Sequence, residues 1–131
     1  MRSSTISNPK TETSRNGILL TIEKLTEFGA DTAEGLGRCL NNEAFYLRLV
    51  GKALDDPAFE KLKDSVAAGD IGKAFEAAHA LKGVLANLSL TPITLLASEM
   101  TELLRAKKEA DYQSYVDRIL ALRDELKAFC D

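Results

Sequence analysis

Proline and glycine are scarce in this 131-residue chain, three and eight residues respectively. A fold of many short strands joined by tight turns would need more of both. Histidine occurs once, at His79, and cysteine twice, at Cys39 and Cys130. One imidazole and two distant thiols are too few for a structural zinc site or a disulfide framework, so reduced thiols and no bound metal are expected. No apolar run approaches the roughly 20 residues that cross a bilayer. Basic charge is not in excess either: 17 Lys and Arg against 20 Asp and Glu leave a formal net charge of −3. Non-specific binding to nucleic acid needs a basic surface and is disfavoured. An ATP-driven kinase would need a nucleotide-holding domain for which this length leaves no room.

What is present is the balance of a globular protein, 45% apolar and 28% charged residues. Met1 to Asn16 is almost wholly polar and lacks the apolar core of a secretory signal, so a cytoplasmic protein is expected. Residues 1–17 read as a disordered tail and 18–131 as a single domain.

From Gly17 onward the punctuation is that of short loops between helices. Ile18 to Phe28 is apolar-periodic and stops at Gly29, suited to the left-handed turn after a helix. Asp31 with Glu34 three positions on forms an Asp version of the capping box, opening a short helix through Leu36 and Leu40 that ends near Asn41 and Asn42. Phe45, Leu49 and Ala53, joined by Tyr46 and Val50, mark the next apolar face. Asp56 is placed as N-cap and Pro57 at the first position of a helix carrying Phe59, Leu62 and Val66 to Gly69. Asp70 caps a helix from Ile71 to about Leu88. Thr91-Pro92 introduces a stripe of Ile93, Leu96, Met100 and Leu103, and Asp111 opens one through Tyr112, Tyr115 or Val116, Ile119, Leu122, Leu126 and Phe129. No segment alternates with period two for long enough to form a strand. The fold expected is all-α, an antiparallel up-down four-helix bundle with one or two extra N-terminal helical segments, Ile18 to Asn41 lying across one end.

The helix that holds His79 departs from the ordinary amphipathic pattern. At about 100° per residue, Ala74, Ala77, Ala78, Leu81, Val84, Leu85 and Leu88 share one sector that must face the core. His79 falls about 150° from the centre of that sector. Gly72, Gly83 and Ala86 share its outer face, where long charged side chains are usual. Gly83 in mid-helix is about 1 kcal/mol less favourable than Ala, and solvent alone offers no compensation. Access supplies a reason: short neighbours leave the ring bare, so another macromolecule can close over it. Lys82, one turn on, can offset negative charge built on the imidazole, such as a phosphoryl group. A neutral imidazole is nucleophilic at pH 7, since its reference pKa is about 6.5. Glu76 and Asn87 border the site, and Phe75, one turn before His79, is either a core residue at the margin or an apolar contact for a partner, the wheel placing it towards the His side. An exposed His beside a Lys is otherwise an ordinary solvated face, and Glu76 and Asn87 have the same plain reading.

The stretch Ala78-His79-Ala80-Leu81-Lys82-Gly83 resembles the signature of histidine-containing phosphotransfer (HPt) domains, an exposed His followed by x-x-Lys-Gly. Gly35-Leu36-Gly37-Arg38 and Asn42-Glu43-Ala44-Phe45-Tyr46 are similar to the family's entry helix and the start of its second helix. The resemblance spans about residues 18 to 129. It implies a helical bundle that relays phosphoryl groups between receiver-domain aspartates, with His79 as the phosphorylated residue through Nε2, Lys82 as the phosphate-facing cation and Gly83 as the gap through which a partner approaches. Val84 and Leu85 stand where the family often has small residues, but both fall in the core sector. Ser89 stands where it often has Gly ten residues after the His, which can alter the helix end without touching the site.

The expected function is therefore that of a phosphorelay intermediate, a phosphocarrier rather than an autonomous enzyme. It would exchange phosphoryl groups with response-regulator receiver domains or a hybrid sensor histidine kinase. It would hold no cofactor, with Mg²⁺ on the receiver, and would bind neither nucleic acid nor membrane. A monomer is the default. The rival reading is a non-catalytic helical adaptor that docks a partner on the small-residue patch.

Overall fold

The computed structural model describes residues 20–130, so the tail expected at residues 1–17 lies outside the described residues. Within them are seven helices and no strand. They are α1 (Ile22–Phe28), α2 (Thr32–Arg38), α3 (Glu43–Leu54), α4 (Ala58–Ala67), α5 (Ile71–Asn87), α6 (Thr91–Arg105) and α7 (Tyr112–Lys127). Local chemistry explains most of these boundaries. The side chains of Thr21, Asp31, Asn42, Asp70 and Asp111 each accept a hydrogen bond from the backbone N–H three residues on, satisfying a donor that the first helical turn cannot. At α4 the cap is shared: Pro57 already has helical dihedrals, and Asp56 Oδ1 accepts from Ala58 N at 2.8 Å.

Five helices close with a left-handed residue and a bond from the following N–H back to the carbonyl five positions earlier. Glycine holds that position after α1 and α4, at Gly29 (φ 112°) and Gly69 (φ 71°). Leu40, Ser89 and Lys107 hold it after α2, α5 and α6, with φ of 56–57°. α2 accordingly ends at Arg38, before Leu40, whose side chain is 90% exposed instead of continuing the helix's apolar stripe. α1 starts at Ile22, because Thr21 is its cap.

The α4–α7 helices form the bundle: α5 and α7 each pack against both α4 and α6, and short connections make neighbours antiparallel. The fold class is the one expected, an all-helical bundle with α1 and α2 as added N-terminal segments, and with α3 laid on α7 ahead of α4. The core is built from Phe59 and Leu62 on α4, Leu81 and Leu85 on α5, Ile93, Met100 and Leu104 on α6, and Val116, Ile119 and Leu126 on α7. From α3 it takes Tyr46, Val50 and Leu54, while Phe45, placed on that face by spacing, is 41% exposed. Both thiols are free, Cys39 buried and Cys130 half-buried.

The added helices are tied to the far end of α5. Tyr46 is fully buried and its hydroxyl donates to Leu88 O at 2.8 Å. Gly35 on α2 makes room for that ring: a Cβ there would lie 2.6 Å from its Cε1, Cζ and hydroxyl oxygen. Replacing Gly35 by Ala should therefore displace Tyr46 and weaken the Leu88 bond, lowering stability by about 2 kcal/mol in urea unfolding. An unchanged midpoint would show that the ring has room to move.

Burial, with lesser contributions from Cys39 and Asp31, pushes the Tyr46 phenol up to about 12 from 10.0. The folded state thus keeps this proton more tightly than the unfolded chain does. Its contribution to stability is complete below pH 10 and is lost as pH rises towards 12. Stability measured from pH 9 to 12 should fall more steeply for the wild type than for Tyr46→Phe, and parallel curves would contradict the assignment.

Candidate functional site

α5 is a helix because Asp70 caps it and because alanine and leucine, both good helix formers, fill most of its inner face. Ala74, Ala77, Ala78, Leu81 and Leu85 are buried, and the three alanines let α4 and α6 approach closely on either side. Val84, expected with them, sits half-buried at the margin. Once that face is inside, His79 has to be outside, and it is exposed.

The neighbours fall into two groups. Ala80, Gly83 and Ala86 are exposed around the ring, and a Cβ added at Gly83 would meet nothing within 4 Å. Nothing among the described residues thus requires the absence of a side chain at Gly83. Ala80 belongs to the same open patch, although the wheel did not single it out. Lys82 is half-buried and forms no ion pair among the described residues, so its ammonium is uncommitted. Glu76 and Asn87 are exposed, and no described side chain hydrogen-bonds to the His79 ring. Gly72 is exposed on the same helix but two turns away, about 10 Å along the axis. It lines a concavity of about 940 Å³ between the start of α5 and the end of α6, together with Ile71, Phe75, Leu104, Arg105 and Tyr112. Gly72 thus lines that hollow beside Phe75, two turns before His79, as Ala86 stands two turns after it.

Phe75 sits at the margin of the core. It is half-buried, and its ring stacks on the imidazole of His79 with centroids 5.7 Å apart and planes 15° from parallel. The guanidinium of Arg105, from the last turn of α6, lies 5.0 Å from the Phe75 centroid. Arg105 is itself held by Glu102, Nε to Oε1 at 3.3 Å and Nη2 to Oε2 at 3.4 Å. Spacing on α5 could not reveal Arg105, because its presence depends on the register of a different helix.

The C-terminal end of α5 is fastened from outside. Arg38 Nη1 donates to Ala86 O at 2.7 Å, to Asn87 O at 3.3 Å and to the Ser89 hydroxyl at 3.2 Å. The Ser89 hydroxyl donates to Glu34 at 2.7 Å, and Asp31 N donates to Ser89 O at 2.9 Å. Ser89 thus takes the left-handed position with its side chain bound to α2, and the helix end keeps its closure without glycine.

An exposed imidazole on a rigid helix, with small residues on one side and an uncommitted cation one turn away, can carry a group delivered by another macromolecule. A family model for the Hpt domain matches residues 48–131, which contain α4 to α7, most of α3 and all of the His79 site. The chain belongs to the Hpt domain family. No curated protein and no solved structure matches it. The match begins at Arg48, so Gly35–Arg38 and Asn42–Tyr46, which resembled the family's first helices, lie ahead of it. Hpt domains are phosphocarrier modules of histidine phosphotransfer in phosphorelays, and this places the chain in two-component signalling.

Because nothing surrounds the missing Cβ of Gly83, Gly83→Ala should stabilise this Hpt domain by about 1 kcal/mol in denaturant unfolding. A loss of stability would mean that the position is constrained from within.

Proposed function

We propose that His79 is the residue that carries the phosphoryl group, received from a receiver-domain aspartate or from a sensor kinase and passed to another response regulator. The observation that carries this reading is the exposure of the only histidine, on the outer face of α5, among Ala80, Gly83 and Ala86. A lone pair on Nε2 forms the N–P bond as the P–O bond of the aspartyl phosphate breaks, and the electron pair leaves with the carboxylate. Return transfer runs the same path backwards. Lys82 stabilises the negative phosphoryl oxygens while they sit on the ring.

In this reading the domain works by presenting its nucleophile, and the receiver supplies the aspartate and its Mg²⁺. Among the described residues, no group of three or more His, Cys, Asp or Glu side chains could hold a metal ion. Gly83 and Ala86 are the clearance for the docked partner, with Glu76 and Asn87 on its rim. No helix among the described residues is long and apolar enough to cross a membrane, and we place the domain in the cytoplasm as a monomer.

Incubation with phosphorylated receivers, followed by intact mass, tests the assignment. One phosphoryl group per chain should appear, stable in base and lost in acid, and His79→Gln should take up none. Lys82→Ala should slow transfer about tenfold, the effect of losing roughly 1.4 kcal/mol of charge-assisted stabilisation. Folded protein that binds receivers equally well with His79 or Gln and never acquires a label would instead be an adaptor.

A further inference from the structure

We infer that Phe75 is a positioning residue for His79, and that Arg105 braces it from α6. The inference rests on His79 being the phosphorylated residue and concerns how its ring is held. An exposed imidazole on a helix ordinarily samples several rotamers, and only some of them present Nε2 to an incoming phosphorus. No hydrogen bond among the described residues restrains this ring. The contact that does is the near-parallel stack on Phe75, one turn earlier, at 5.7 Å and 15°. Side chains on a helix lean towards its N-terminus, so His79 settles over Phe75 and leaves Lys82 free on the other side.

Phe75 can serve as a platform only if it is itself fixed. Its half-buried position provides part of that restraint, and the Arg105 guanidinium 5.0 Å from its centroid provides the rest. Arg105 is in turn oriented by the paired contact with Glu102. The chain of contacts Glu102–Arg105–Phe75–His79 therefore runs from α6 to the ring on α5. The stack orients the nucleophile without occupying either ring nitrogen, as a hydrogen bond would.

The test uses Phe75→Leu, Phe75→Tyr and Arg105→Gln in the full chain. It reads the imidazole proton resonances of unphosphorylated His79 and the rate of phosphoryl transfer from a receiver. In the wild type the ring signals should carry the upfield displacement of a stacked aromatic. Phe75→Leu should abolish that displacement and slow transfer about three- to tenfold, and Phe75→Tyr should restore both. Arg105→Gln alters an exposed side chain and opens no hole in the core. It should move the ring signals the same way to a smaller extent, and it decides the matter if Phe75→Leu does not fold. Unmoved His79 signals in the variants, or displaced signals with an unchanged transfer rate, would overturn the inference. A wild type that accepts no phosphoryl group at all would instead overturn the role assigned to His79.

Discussion

The last carbonyls of a helix have no partners within it, and at the end of α5 they are met from outside by α2 and α3. Arg38 bonds to Ala86 O and Asn87 O, the Tyr46 hydroxyl to Leu88 O, and Asp31 N to Ser89 O. These bonds connect residues more than 40 positions apart in sequence, and they make the N-terminal helices a clamp on the helix that carries His79. The Arg38–Glu34 ion pair is largely exposed and adds little by itself. Its value lies in aiming the guanidinium at the carbonyls. Gly35 follows from the same constraint, since only a residue without Cβ lets Tyr46 reach Leu88.

With one end fixed, the two long faces of α5 are settled by side-chain size. Alanines at 74, 77 and 78 and leucines at 81 and 85 are all buried on the side that packs against α4 and α6. A helix packed between α4 and α6 keeps an open strip on its outer side. His79, Ala80, Gly83 and Ala86 lie along it, and the helix propensity lost at Gly83 is offset by no contact among the described residues.

Much of this was readable from residue spacing because it is local. Asp31, Asp70 and Asp111 cap the helices they were expected to cap, and the apolar stripes of α5, α6 and α7 point inward. The outward direction of His79 followed from the same arithmetic. Features that depend on how one helix is set against another were not readable. Arg105 is 26 positions from His79 and comes to it through Phe75, whose ring lies against side chains of two helices. Leu40 was counted into a stripe because leucine is apolar, yet the helix had already closed at Arg38 through the bond from Asn41 N to Leu36 O.

Ser89 shows how a departure from a family's usual residue can be absorbed. A left-handed residue must follow α5 for Leu90 N to reach Leu85 O, and any side chain there is less comfortable than glycine. Lys107 closes α6 under the same strain, with its side chain exposed. Ser89 is buried, and its hydroxyl joins Glu34 and Arg38, so the strained position doubles as an anchor for α2. Glycine there would relax the backbone and loosen the clamp. Serine keeps the clamp, which holds still the end of the helix that carries His79.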